Sequence, residues 1–435
     1  METTTEYPIR KADARLDPQE FAKRFDGAWW DEFLDGTVQM STPEAFGGRM
    51  TAEHTRRMRR CILDIIAQHA ATCRDSYGYR VWVEGQQLTD LDDHFARAPQ
   101  AGEDVEDWTR RAFGDKRFGI ILNRGEKFNE ELSAAMAHAL KPLLSKMGMP
   151  TEGILFTIFI GNYDMTPLGI HKDLPGKSVM HFHLGPGSKT MYVWEDEHYK
   201  TEPGEKRQNN MSFAPHLDSA IARTFHEGDI YFMPENRFHL GTQYGLSIGI
   251  ACWANNRSKR HFAERLMQLV KLNYLLPSED MLKSDRLAAD DVSAVDSTMA
   301  LFAAPEIGEG SLKALLRHVY KDFRLALFSN AGFRNAPLPN PDALAISDDD
   351  SICIEEPYRI FYVRDPEQKT LALYVRGTKV ILNEVGGLRA LVDALNGGHR
   401  FAFPAVLDML GEPWTEHAAR YLLGLLHRHR GIRIA

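Results

Sequence analysis

GILFTIFIG (153–161), SVMHFHLG (178–185), TMYVWE (190–195), DIYFMP (229–234) and LSIGIACWA (246–254) are five short runs of β-branched, aromatic and aliphatic residues. Turns rich in Gly, Pro and Asp separate them, and no helical pattern intervenes. Such a series predicts an antiparallel barrel or sandwich between residues 153 and 256.

The flanks read differently. Upstream, Pro18 to Leu34 has a helical pattern that places Phe21, Phe25, Trp29 and Trp30 on one side. Thr51 to Ala71 repeats it with Met58, Ile62 and Ile65. Arg80–Leu88 and Gly119–Asn123 read as strands, and Glu130–Met147 as a helix. Downstream, RHFAERLMQLVKLNYLL (260–276) and SLKALLRHVYKDFRLALFSNAG (311–332) are amphipathic helices, and PLPNPDALAISDDDS (337–351) reads as a linker. The tail begins with two strands, YRIFYVRD (358–365) and LALYVRG (371–377). Helices follow around GGLRALVDALNGG (386–398) and TEHAARYLLGLLHRHRG (415–431). That mixture suggests a small winged-helix-like domain. The expected organisation is a β-rich domain with N-terminal helices over 1–256, a helical region over 257–340 and the tail domain over 351–435.

The 435 residues suffice for two or three domains, and 43% hydrophobic with 26% charged residues is a globular composition. A net charge of −8 argues against general nucleic-acid binding, which needs a basic face. It leaves room for a basic protein or peptide partner. HRHRGIRIA (427–435) is basic but short, and reads as a solvated end. Cys61, Cys73, Cys252 and Cys353 are scattered without a CxxC pair, which fits a reducing compartment without a zinc or disulfide frame. The polar N-terminus lacks a signal-peptide core, and no run of eighteen apolar residues occurs. The expected location is the cytoplasm.

Chemistry concentrates in the β-rich region. TPLGIHKD (166–173) sets His171 and Asp173 two residues apart before a strand, so on extended backbone both side chains point the same way. HEGDIYFMPENRFHL (226–240) delivers His239 at the start of another strand. Two histidines and a carboxylate can occupy one face of Fe(II) and leave positions open for a cosubstrate and oxygen. Between them lies Lys189, after a tight turn in HFHLGPGSKTMYVWE (181–195). Inside a barrel a lysine needs an anion, and 2-oxoglutarate would supply one. Each piece alone has a plain reading: an HxD is usually a surface turn, and a lysine after a turn is usually exposed. His181 and His183 share one face of their strand. They are read mainly as pocket wall, with a substrate-binding role or a rival metal site as the alternatives.

The stretch TPLGIHKD, the lysine in GPGSKTMYVW, the block EGDIYFMPENRFH and the closing strand SIGIACW together resemble the JmjC/cupin-like 2-oxoglutarate oxygenases, nearest to the ribosomal-protein hydroxylases. FAKRFDGAWWDEFLD (21–35) is similar to that family's N-terminal helix, so the resemblance spans most of the chain. It implies a double-stranded β-helix (jelly-roll, cupin or JmjC) with flanking helices, a helical middle region and a C-terminal winged-helix-like domain. It also implies Fe(II), 2-oxoglutarate and O2 as cofactor and cosubstrates. His171, Asp173 and His239 match the iron ligands, and Lys189 matches the 2-oxoglutarate anchor. Thr166 or Tyr163 would assist that anchor. The implied activity is hydroxylation of an amino-acid side chain in a protein or peptide, with helices 257–330 as a homodimer interface. The alternatives are a tailoring oxygenase for a ribosomally made peptide and a non-catalytic cupin-type binding or regulatory protein. One departure is a longer loop after Asp173, caused by Leu174, Pro175, Gly176 and Lys177.

Overall fold

The computed structural model describes residues 15–72, 78–280, 293, 296–302, 311–340 and 346–434. The polar N-terminus to residue 14, Cys73 and residues 341–345 of the expected linker lie outside them. The chain divides into two compact units. The first contains 1–256 together with 331–341 and 355–358; the second contains 257–330, 342–354 and 359–435.

In the first unit the strands are β1 (Glu44–Phe46), β2 (Tyr79–Val83), β3 (Gln86–Gln87), β4 (Phe118–Asn123), β5 (Ile154–Gly161), β6 (His171–Lys172), β7 (Lys177–Trp194), β8 (Ile221–Phe225), β9 (Ile230–Met233) and β10 (Phe238–Asn255). β7 and β10 organise the rest. They run antiparallel along their length, with Val179 opposite Trp253 and Val193 opposite His239. Their ladder shifts register between Tyr244 and Ser247 and again between Ile248 and Gly249. Gly185 and Gly245 turn there with φ of +66° and +73°, a region that favours glycine. On one side of the break β5, β10, β7 and β9 lie side by side, and on the other β6, β10, β7 and β8 do. Val179, Tyr231, Met233 and Ala251 of the first layer meet Val193 and Phe225 of the second in one interior cluster. Two antiparallel layers closing on a shared interior make a jelly roll, the double-stranded β-helix expected from the sequence.

Alternation along β7 decides what faces that interior. Val179, His181 and His183 point inward. Met180, Phe182 and Leu184 point outward into a second core built with helices Gly27–Gly36, Ala52–Thr72 and Glu130–Met147. Phe182 is fully buried, with its ring 5.9 Å from that of Phe25. Phe182→Ala is therefore expected to destabilise the protein by about 3–5 kcal/mol. Urea unfolding checks it: the midpoint should fall at unchanged slope, and a loss below about 1 kcal/mol would contradict this packing.

Two expectations need correction. Pro18–Leu34 is not one helix but Pro18–Ala22, a 3-10 turn Lys23–Phe25 and Gly27–Gly36. Asp26 is extended (ψ 179°), and its carboxylate accepts a 2.8 Å hydrogen bond from the Trp29 amide, so it caps a new helix. Arg80–Leu88 is a hairpin, because Glu84 and Gly85 both take positive φ (49° and 77°) and reverse the chain.

In the second unit, helices Lys259–Tyr274 and Leu312–Ser329 pack through Val270, Tyr274 and Val319. The remainder holds β11 (Ile352–Ile354), β12 (Phe361–Asp365), β13 (Thr370–Val375), β14 (Thr378–Asn383) and β15 (Ile432–Ile434). β11 pairs with β15, and β12 to β14 form a three-stranded sheet. Helices Leu388–Asn396, Phe403–Leu410 and Glu416–Arg428 cover a core that includes Leu373, Leu391 and Leu423. β14 and the middle helix went unread in the sequence. The strand follows β13 directly through a two-residue turn at Arg376 and Gly377, and the helix is only 8 residues long. No helix among the described residues is long and apolar enough to cross a membrane.

Candidate active site

The TPLG turn places the first histidine. Gly169 has φ +63°, and a Cβ there would collide with the Asn210 carbonyl. That close approach lets Ile170 and Asn210 exchange backbone hydrogen bonds of 2.7 and 3.0 Å. β6 follows at once and pairs His171 with His239 and Lys172 with Phe238 on β10. The outward side chains lock the pair: Phe238 joins Ile170, Trp194, Tyr199 and Leu240 in a small core, and the Lys172 ammonium lies 4.7 Å from the Phe238 ring centre. The inward side chains are the two imidazoles, with ring centres 4.2 Å apart.

Both imidazoles are held in one tautomer by their own backbone. His171 Nδ1 is 2.8 Å from the Gly169 carbonyl, and His239 Nδ1 is 3.1 Å from the Arg237 carbonyl. A carbonyl only accepts, so each Nδ1 donates, and in the neutral ring Nε2 keeps a bare lone pair. Burial and the neighbouring His171 lower the pKa of His239 to about 4, which keeps it neutral near pH 7. Asp173 Oδ2 lies 3.8 Å from His239 Nε2 and is buried without a hydrogen-bond partner. Two acceptors thus face one another with no proton between them, an arrangement that a cation would relieve. Imidazole nitrogen and carboxylate oxygen are the donors that suit a first-row divalent ion. A tighter cluster, Glu195, Glu197 and His198, brings ligand atoms within 4.8 Å of one another, and the three atoms of the triad are spread wider than that. It sits on a largely exposed turn with no buried orphan atom, where acidic groups are common without an ion.

Lys189 is 7% exposed and points into the same interior. It makes no ion pair among the described residues, and its ammonium lies 5.3 Å from the Phe159 ring centre. Burial lowers its pKa to about 8. Of its two expected helpers, Thr166 is close. A Cβ built on Gly241 would lie 3.1 Å from Thr166 Oγ1, 3.2 Å from Lys189 Cε and 2.9 Å from Met191 Sδ, so these groups converge on one point. The Thr166 hydroxyl donates 3.0 Å to the Gly241 carbonyl, and so offers lone pairs rather than a proton to its surroundings. The Tyr163 ring packs against Gly119 and Gly161, on the face of β5 that also carries Phe159. Its phenol is pushed up to about 12 by burial and stays protonated.

His181 and His183 line the interior as well. The His183 Nε2 donates 2.8 Å to the Gly187 carbonyl, whereas His181 Nε2 is buried without a partner. Burial, with Lys189 adding to it, lowers both pKa values, His183 to about 4. The sequence reading missed Gly241 and Gly249. Both occupy inward positions of β10, where a side chain would fill the space now taken by Lys189, Thr166 and His181. A glycine inside a strand pattern was the available signal.

No family model matches the chain, and no curated protein does. Among solved structures it is similar to YcfD, a ribosomal oxygenase from Escherichia coli, with 13% identity over 93% of this chain and 97% of that one at a TM-score of 0.46. The complex of YcfD with cobalt and 2-oxoglutarate gives 13% identity, coverage of 93% and 98%, and a TM-score of 0.45. A structure of oxalate decarboxylase matches 33% of this chain and 27% of its own, with 10% identity and a TM-score of 0.19.

Proposed function

We propose that the chain is an Fe(II)- and 2-oxoglutarate-dependent dioxygenase that hydroxylates an amino-acid side chain in a protein or peptide. One observation carries this reading: the paired acceptors His239 Nε2 and Asp173 Oδ2, 3.8 Å apart beside His171, in the same interior as an unpaired buried lysine. His171, Asp173 and His239 would hold the metal, and Lys189 the far carboxylate of the cosubstrate. When bound, iron and 2-oxoglutarate would supply the oxidising chemistry, in which a substrate C–H, O2 and 2-oxoglutarate give the hydroxylated substrate, succinate and carbon dioxide, with one oxygen atom of O2 in each of the first two products.

The chain's own residues set the geometry. Lys189 stands four residues along β7 from Val193, the partner of His239, which is about 13 Å of strand. A lysine side chain and a five-carbon diacid laid end to end suit that span. Phe159, Met191 and Val193 line the interior between the two ends and exclude water, which strengthens the ammonium–carboxylate attraction. The carbonyls of Gly169 and Arg237 keep both Nε2 lone pairs aimed for ligation. Thr166 Oγ1 accepts rather than donates, so its role is to steady the ammonium. Beyond the site, Met267 and Leu272 are 47% and 71% exposed on helix Lys259–Tyr274. Exposed apolar side chains of this kind support a homodimer through the helical region, which sedimentation would test.

Anaerobic titration with Fe(II) and then 2-oxoglutarate tests the assignment. A weak visible charge-transfer band should grow to one equivalent and be missing in His171→Ala. A folded, iron-loaded protein with no band would overturn it.

A further inference from the structure

His181 is a buried titratable side chain of the interior that neither the metal set nor the fold uses. It is 6% exposed, and its Nε2 has no hydrogen-bond partner. A buried ring nitrogen in that state costs stability unless something absent from the free chain meets it. Its neighbour differs in degree: His183 also has an unpartnered nitrogen, Nδ1, but it is tied through Nε2 to the Gly187 carbonyl and is fully enclosed.

Two aromatic rings flank the His181 imidazole. It lies 6.4 Å from the Phe159 ring centre and 5.4 Å from that of Phe225. Phe159 is also the ring beside which the Lys189 ammonium sits, at 5.3 Å. On β10 a Cβ at Gly249 would collide with the imidazole Nε2 and Cε1, so the missing side chain there is what lets the ring reach across the sheet. Phe159 and Gly249 are register partners, so imidazole and ammonium converge over one cross-strand pair.

We propose that His181 is a direct contact of the dicarboxylate in this cavity, its imidazole donating one N–H to the carboxylate that Lys189 pairs. The inference rests on the cosubstrate reading above. Burial, Lys189 and His183 all disfavour the imidazolium, so His181 offers a neutral donor beside the cation. A carboxylate has two oxygens and accepts from both groups at once. The pair then requires an anion at that end of the cavity and discriminates against 2-oxo acids with an apolar end, because such a ligand would leave both donors unmet.

The test is 2-oxoglutarate affinity by calorimetry on the full chain loaded with redox-inert Zn(II), so that turnover plays no part. His181→Leu should weaken binding about 10- to 100-fold, the range of a hydrogen bond to a charged group. His181→Asn, which keeps an N–H donor, should recover most of that loss. Gly249→Ala, which leaves His181 in place but pushes its ring aside, should weaken binding similarly. It should add little in the His181→Leu background, since the two changes remove one contact. Lys189→Met is measured alongside. Weakening by Lys189→Met with none by His181→Leu overturns the inference and leaves the cosubstrate reading standing. Loss in His181→Leu that Asn fails to restore, in a folded variant, marks a packing role and also overturns it. Indifference of both variants means that the carboxylate is held elsewhere and overturns this inference, whereas a Zn(II)-loaded wild type that binds no 2-oxoglutarate removes the cosubstrate reading and this inference together.

Discussion

Asp173→Ala is expected to abolish turnover and to weaken Fe(II) binding at least about 100-fold, the upper end of what losing a mere supporting group around a metal costs. The expectation comes from the geometry of lone pairs. Asp173 Oδ2 and His239 Nε2 face each other at 3.8 Å, and His239 has spent its only proton on the Arg237 carbonyl. A metal cation between them satisfies both, and imidazole nitrogen with carboxylate oxygen is a donor set that suits one. Removing the carboxylate relieves an uncompensated buried acceptor, so the metal-free variant should melt no lower than the wild type. Metal separates them: at 100 times its dissociation constant Fe(II) should stabilise the wild type by about 2.7 kcal/mol and the variant hardly at all. Thermal melts with and without anaerobic Fe(II) read this directly. Equal metal-induced shifts in the two proteins would remove Asp173 from the ligand set.

How much of this was visible beforehand depends on the range of the interactions. The jelly roll was legible because alternation within SVMHFHLG and LSIGIACWA is local, and strands without intervening helices have few ways to close. His171 and Asp173 were legible as a pair for the same reason, lying two residues apart. That His239 would meet them was less so, since the register of β6 on β10 is fixed by outward contacts of Lys172, Phe238 and Tyr199. The emptiness left by Gly241 and Gly249 is a property of β7, β10 and the Thr166 turn together and has no signature in any one of them. Helix breaks hide similarly: Asp26 was read as part of a continuous amphipathic pattern, while its capping bond to Trp29 starts a second helix. Lys189 was read on chemistry rather than pattern; in the structure it is a buried cation without a counter-ion among the described residues.

That last feature leads to a prediction with opposite signs for stability and binding. In the free protein the Lys189 ammonium is buried and unpaired, and its pKa falls from 10.5 to about 8. At about 1.4 kcal/mol for each tenfold change in proton affinity, the folded state gives up roughly 3 kcal/mol to carry that charge near pH 7. The sign follows from linkage. Between pH 8 and 10.5 the unfolded chain binds the proton more tightly than the folded one, so folding stability rises with pH across that window. Below it the penalty is complete, and above it there is none. Lys189→Met keeps the length of the side chain without the charge. It should therefore raise the melting temperature of the free protein at pH 7, with the advantage shrinking from pH 8 to 10.5. For 2-oxoglutarate the order reverses. The ammonium–carboxylate contact is lost, and affinity should fall about 10- to 100-fold. Saturating cosubstrate should then stabilise the wild type and leave the variant almost unmoved. A variant that is less stable at pH 7 would mean that Lys189 has a counter-charge in the free protein. A variant that binds 2-oxoglutarate as well as the wild type would mean that the carboxylate is held elsewhere. Crossing of the two melting temperatures as cosubstrate is added is the outcome that requires both halves of the argument, a charge buried at a cost in the free chain and met by an anion in the complex.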